Sequence, residues 1–180
     1  MKRLFPVATV FAAGALVFSL RTGSAAPAPS TAAPALDDAT IVAIFDAANT
    51  ADVETGELAA KKGSTKTIRD FGAMLARDHK AVRQQGRDLA KKLGVTPTPP
   101  KDDNSAKDHA AVMKKLNGLS GAEFDKAFLQ SEVAYHDAVI AAVQSTLLPA
   151  IQNAELKELV VKVAPAFVAH RDGAKNLLTK

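Results

Sequence analysis

At 180 residues the chain has room for one ordinary domain, and two are excluded once any targeting segment is set aside. The absence of cysteine excludes disulfides, thiolate metal sites, cysteine nucleophiles and a lipid anchor on cysteine. The formal charge of +4 owes three positive charges to Lys2, Arg3 and Arg21, ahead of the first acidic residue at Asp37, so the rest of the chain is near neutral; with a single Tyr and no Trp, a dedicated nucleic-acid surface is excluded.

The chain opens on a charged start (Lys2, Arg3), an apolar run from Leu4 to Leu20, and small residues at Ala-x-Ala spacing. This order describes a secretory signal peptide over residues 1–25, and hence export to the periplasm or cell envelope. Pro27 disfavours a cut directly after Ala26, leaving a cut after Ala25 or one near Ala35. An uncleaved anchor is the alternative, although the run is slightly short of the ~20 apolar residues of a spanning helix. Residues 26–37, rich in Ala, Pro, Ser and Thr, read as a disordered tether.

From Asp38 to the end the apolar residues recur at helical spacing, with no run of strict alternation that would favour a sheet. The first helix is expected over roughly Asp38–Lys62, stopped by Gly63, with Ile41, Ile44, Phe45, Ala48 and Leu58 as its apolar stripe. The second follows at once, capped by Ser64 and running to Leu93, where Gly94 and the Pro97, Pro99, Pro100 cluster end it. A long connection over Val95–Ser120 has the composition for a short helix near Ser105–Leu116. It ends in Ser120-Gly121-Ala122-Glu123, a capping-box pattern for a third long helix from Gly121 to Leu148, before Pro149. Asn153 caps the fourth, which carries Leu156, Leu159, Val160, Val163, Phe167 and Leu177 on one face and is expected to kink at Pro165. Two short hairpins joined by a long crossover is the arrangement of an all-α, ferritin-like four-helix bundle over residues 38–180.

Placing residues at 100° per position tests which faces hold groups with chemistry. His79 falls about 20° from the line through Ile68, among the core positions of its helix. His170 lies between Phe167 and Ala174. Glu132 and His136, four residues apart, share a face with Phe128, Val139 and Val143. The first helix contributes Asp52 near the centre of its stripe. Each long helix thus offers an inward imidazole or carboxylate, the donors that Fe, Mn, Zn and Cu take, and such groups are costly to bury without a partner. The plainer reading is that inward histidines are hydrogen-bonded at the core edge and that Glu132 and His136 pair as helical neighbours. His109 reads as solvent-exposed, and Asp78 and Asp137 as solubilising residues that point away from the adjacent histidines. No phosphate loop, nucleophile elbow or zinc-protease motif occurs.

The run Asn49-x-x-Asp52-Val53-Glu54-x-Gly56-x-Leu58-Ala59, then Phe71-x-x-Met74-x-x-x-Asp78-His79, Leu119-Ser120-Gly121-x-x-Phe124-Asp125, His136 and the Pro165–His170 stretch resembles the bacterial exported family called domain of unknown function 4142. The resemblance implies a ferritin-like fold and an envelope location, and no activity, since the family has none established. Asp52 stands where relatives commonly show Glu, keeping a carboxylate on a shorter stem. Iron-oxidising ferritin-like enzymes carry Glu-x-x-His on two helices, whereas Ala76 and Phe167 stand three residues before His79 and His170 here. The expectation is therefore a domain of unestablished activity, not read as an enzyme, holding a transition metal through Asp52, His79, Glu132, His136 and His170. The alternative is a non-catalytic envelope scaffold that binds a protein or a membrane surface.

Overall fold

A computed structural model describes residues 36–180, and every regular element among the described residues is helical. The segment expected as a signal peptide and nearly all of the expected tether lie outside the described residues. Helix α1 spans Asp38–Lys62; the Asp37 carboxylate caps it by accepting the Thr40 N–H at 2.7 Å. Helix α2 spans Lys66–Leu93, and its cap is Thr65, not the expected Ser64. Ser64 is instead taken by a tertiary contact, its N–H donating to Asp125 at 2.9 Å. Gly94 closes α2 at φ 66°, the left-handed conformation that glycine adopts without steric cost.

Helix α3 (Ser105–Asn117) lies in the crossover and α4 spans Gly121–Ala142. The expected capping box is not made: Gly121 sits at φ 58°, outside the helical region, so the Ser120 side chain stands one residue too early to cap. Nor does the helix stop ahead of Pro149. It widens into a π turn at Val143–Leu147 and continues as the single turn α5 (Leu148–Ala150), which holds Pro149. Helix α6 (Ala154–Leu178) runs on through Pro165, which faces solvent. Asn153 Oδ1 accepts the N–H groups of Glu155 and Leu156 at 2.9 and 3.1 Å. Replacing Asn153 by Ala strands both donors and is expected to cost about 1 kcal/mol, read as a lower thermal midpoint with unchanged helicity.

The main packing is α1 on α2 and α4 on α6, with α2 meeting α6 and α1 meeting α4. Two apolar cores result. One holds Ile41, Phe45, Ala90, Leu147, Val160 and Phe167; the other holds Ala59, Leu75, Leu116, Phe124, Phe128 and Ala174. Every long helix contributes to both cores. Helices α1 and α6 run from the first to the second, and α2 and α4 run the opposite way, so the crossover with α3 returns the chain from one end to the other. Between the cores, each long helix passes through one shared polar layer. Among the described residues no helix is long and apolar enough to cross a membrane.

Candidate metal centre

The layer is built from Asn49 and Asp52 on α1, His79 on α2, Glu132 and His136 on α4, and His170 on α6, all buried. His79 and His136 are each 1% exposed, which takes them out of contact with bulk water. All five residues expected as ligands are brought together, but as two groups that share His136. One ring nitrogen each of His79, His136 and His170 lies within 4.8 Å of the others, and the same holds for ligand atoms of Asp52, Glu132 and His136.

Acceptor-only partners set the tautomers. His136 Nδ1 is 3.0 Å from the Glu132 backbone carbonyl, which can only accept, so Nδ1 carries the hydrogen and Nε2 is a bare lone pair. That Nε2 is buried and has no partner. Asn49 Nδ2 donates to the Phe45 carbonyl at 2.8 Å, which turns its Oδ1 toward His79 Nδ1 at 2.9 Å. His79 Nδ1 therefore donates to Asn49, with Asp52 Oδ2 close by at 3.4 Å, and His79 Nε2 is the second lone pair. His170 Nε2 faces Asp78 Oδ2 at 3.3 Å, a carboxylate also held by Arg77, so that nitrogen is the donor and His170 Nδ1 is the third lone pair.

His79 Nε2 and His170 Nδ1 stand 3.1 Å apart. The row Asp78, His170, His79, Asn49 has three links and acceptors at both ends, whereas two neutral imidazoles supply only two hydrogens. A proton or a metal cation between the two rings would supply the third link. A proton is disfavoured near neutrality. Burial, with His170 and His136 beside it, pushes His79 down to about 3. Burial likewise takes His136 down to about 4, and lowers His170 against the opposing pull of Asp78.

The carboxylates lie on the N–H side of the rings. Glu132 Oε2 is 3.5 Å and Asp52 Oδ1 4.0 Å from His136 Nδ1, whose hydrogen is already given to the Glu132 carbonyl. Asp52 Oδ1 and Glu132 Oε2 are buried without a partner. Burial and then the charge of Glu132 hold Asp52 well above the usual carboxylate range, and burial pushes Glu132 up to about 7.

Two surface readings need correction. Asp78 does point away from its neighbour His79, but it does so across the α2–α6 interface onto His170, because a position flanking the core stripe faces the adjoining helix. His109 is not simply solvent-exposed: it is half-buried and bonds Glu54 at 2.7 Å, joining α3 to α1. Asp137 does lie at the surface, near Arg171 and Lys175. Asn49 was missed, although it lies three residues before Asp52 on the same helical face. The two positions where Glu-x-x-His would place Glu are spoken for: Phe167 stacks parallel on His79 at 5.7 Å between centroids, and Ala76 lies against the α1 backbone at Gly56.

No curated protein matches the sequence. The crystal structure of a DUF305 fragment from Deinococcus radiodurans is similar in fold, with a TM-score of 0.69 at 14% identity over 78% of this chain and 94% of that one. At that identity the likeness concerns the path of the helices and carries no function. The sequence itself matches the family described as Domain of unknown function (DUF4142) over residues 23–177, nearly its whole length, and the chain belongs to that family.

Proposed function

We propose that the chain is an exported, ferritin-like helical domain that holds one transition-metal ion in its core through His79 Nε2, His136 Nε2 and His170 Nδ1. The observation that carries this reading is the pair of imidazole lone pairs facing each other at 3.1 Å beside a third, partnerless one. Two nitrogens held ~2.0–2.1 Å from a single ion stand about 2.9–3.4 Å apart, so the spacing suits neighbouring ligands of one cation. An all-imidazole set suits Zn, Cu or Fe over Mg or Ca. Each ligating ring is backed on its far nitrogen, by Asn49 and Asp52, by Glu132, and by Asp78, the arrangement that orients metal-bound histidines. Asp52 and Glu132 are thus assigned to orienting the rings, not to binding the ion. The two hairpins and their crossover support the ferritin-like reading. Export rests on the N-terminal charge, apolar run and Ala-x-Ala pattern.

Metal content decides the matter. Full chain purified from cells grown with trace metals, measured by mass spectrometry, is expected to carry one ion per chain. A His79→Ala, His170→Ala double variant is expected to carry none, and Asn49→Ala is expected to weaken binding by about 10- to 100-fold. Substoichiometric metal in the parent, with a thermal midpoint indifferent to added Fe, Mn, Zn or Cu, would sink the metal reading and leave the non-catalytic envelope scaffold.

A further inference from the structure

The Asp52–Glu132 pair has a second side, a cavity of about 1000 Å³ between α1, α3 and α4. Its walls are mostly apolar, with Ala47, Ala51, Val112 and Met113 among them, and Asp52 and Glu132 line it. Those two side chains contribute the partnerless Asp52 Oδ1 and Glu132 Oε2, and both residues are more than nine-tenths buried. Neither Lys nor Arg lines the space.

The hydrogen-bonding character of the cavity is one-sided. Four of the five hydroxyls along it have spent their hydrogens on backbone carbonyls, Thr50 on Asp46, Thr55 on Ala51, Ser131 on Phe128 and Tyr135 on Ala48, and the fifth, Ser105, lies at the exposed start of α3. The other carboxylates lining it that have partners, Asp46 and Glu54, are paired with Arg87 and His109. What remains deep in the cavity is two carboxyl groups with no cationic partner. An anion would meet like charge there, and a neutral apolar molecule would leave both oxygens unpaired. His136 offers no ligand on this side because its Nδ1 hydrogen is committed, and the volume far exceeds a bare ion but falls within the range of small-molecule sites.

We propose that this cavity binds an organic monocation, an apolar body carrying a protonated amine, with the ammonium on Asp52 and Glu132 and the body along the wall of α3. The site shares Asp52 and Glu132 with the backing of the histidine centre but uses none of the three imidazole lone pairs, and it does not require that centre to be filled.

The test uses the full chain freed of metal by chelation, titrated by calorimetry with n-hexylammonium, hexanol and hexanoate as probes of equal length. Hexylammonium is expected to bind at least about tenfold more tightly than hexanol, the scale of one charge-assisted hydrogen bond, and hexanoate is expected not to bind. An Asp52→Asn, Glu132→Gln variant is expected to bring hexylammonium down to the level of hexanol. Ala110→Trp, an exposed change on α3 at the cavity lining, is expected to weaken both while leaving the thermal midpoint in place. The His79→Ala, His170→Ala variant is expected to bind hexylammonium as the parent does, so that loss of the metal reading and loss of this one give different results. Hexanoate or hexanol binding as well as the ammonium, an ammonium preference that survives Asp52→Asn, Glu132→Gln, or no binding at all overturns the proposal.

Discussion

Metal loaded into this protein is expected to stay bound on acidification to about pH 5, well below the point at which exposed histidine sites let go. An exposed imidazole has a pKa near ~6.5, so protons compete with a metal for its lone pair from about that pH downward. Here burial holds His79 at about 3 and His136 at about 4, and moves His170 below its ordinary value. The lone pairs stay open to a metal over a range in which surface histidines are already protonated. Metal retained after buffer exchange at steps from pH 8 to pH 4 measures this directly. Release centred near pH 6.5 would show that the ion is held by surface groups and not by the layer.

The metal-free chain carries the same shifts into its stability, with a definite sign. As pH falls from 6.5 toward 4, the unfolded chain takes up protons on these histidines and the folded chain does not, so stability is lost across that window. Glu132, raised from 4.5 to about 7, acts in the opposite sense: the folded chain takes up its proton first, and stability is gained as pH falls from 7 to 4.5. The two effects offset each other in the parent. Asp52, also raised by burial, acts in the same sense as Glu132; Glu132→Gln removes one of these two compensating carboxyls, so the thermal midpoint of that variant is expected to fall more steeply between pH 7 and pH 4.5. A slope equal to that of the parent would mean that Glu132 is already ionised in the fold.

Gly72→Ala is expected to be among the most destabilising single changes in the domain, although it adds one methyl group to a residue type that helices tolerate poorly. Glycine within a helix normally costs ~1 kcal/mol relative to alanine, so on propensity alone the substitution would stabilise. The contact between α1 and α2 reverses the sign. A Cβ at Gly72 would lie 2.7 Å from the Gly56 carbonyl oxygen and 2.8 Å from the Ala60 nitrogen, and a Cβ at Gly56 would lie 2.7 Å from the Gly72 carbonyl oxygen. These are backbone atoms and cannot swing aside, so the helices must separate. Overpacking of this kind costs typically ~1–3 kcal/mol, which lowers the thermal midpoint by roughly 2–12 °C in a domain of this size. Because α1 carries Asn49 and Asp52 and α2 carries His79, the separation also loosens the contacts that orient His79. Gly72→Ala is therefore expected to lose metal affinity along with stability, whereas Asn153→Ala, far along the chain at a helix cap, is expected to lose stability alone. A Gly72→Ala protein as stable as the parent would contradict the close approach.

The ends of the helices were legible because they are local chemistry. Gly94 and Asn153 stop or start helices through backbone freedom or a side-chain oxygen, Gly63 ends α1 in an extended conformation, and all three stand where periodicity alone would place them. The failures were of the same kind in reverse. Ser64 had the chemistry of a cap but was drawn to Asp125 on another helix, and Ser120 was displaced by the conformation of Gly121.

The inward faces were legible too, since a fixed rotation per residue turns spacing into direction, and His79, His136, His170, Glu132 and Asp52 all lie where that rotation puts them. What the spacing along single helices could not supply is how far one helix is slid and turned against the next. That offset is set by packing between segments distant in sequence, such as Gly56 against Gly72 and Phe167 against His79. It decided that Asp78 meets His170, that Asn49 and not a carboxylate is the near partner of His79, and that five candidate ligands divide into three imidazoles around one point and two carboxylates lining a cavity. The sequence by itself determined an all-helical chain of this family with histidines and carboxylates turned inward. Only the tertiary structure decided which lone pairs face one another, because hydrogen-bond direction depends on atoms brought together across helices, and periodicity along one helix carries no information about its neighbour.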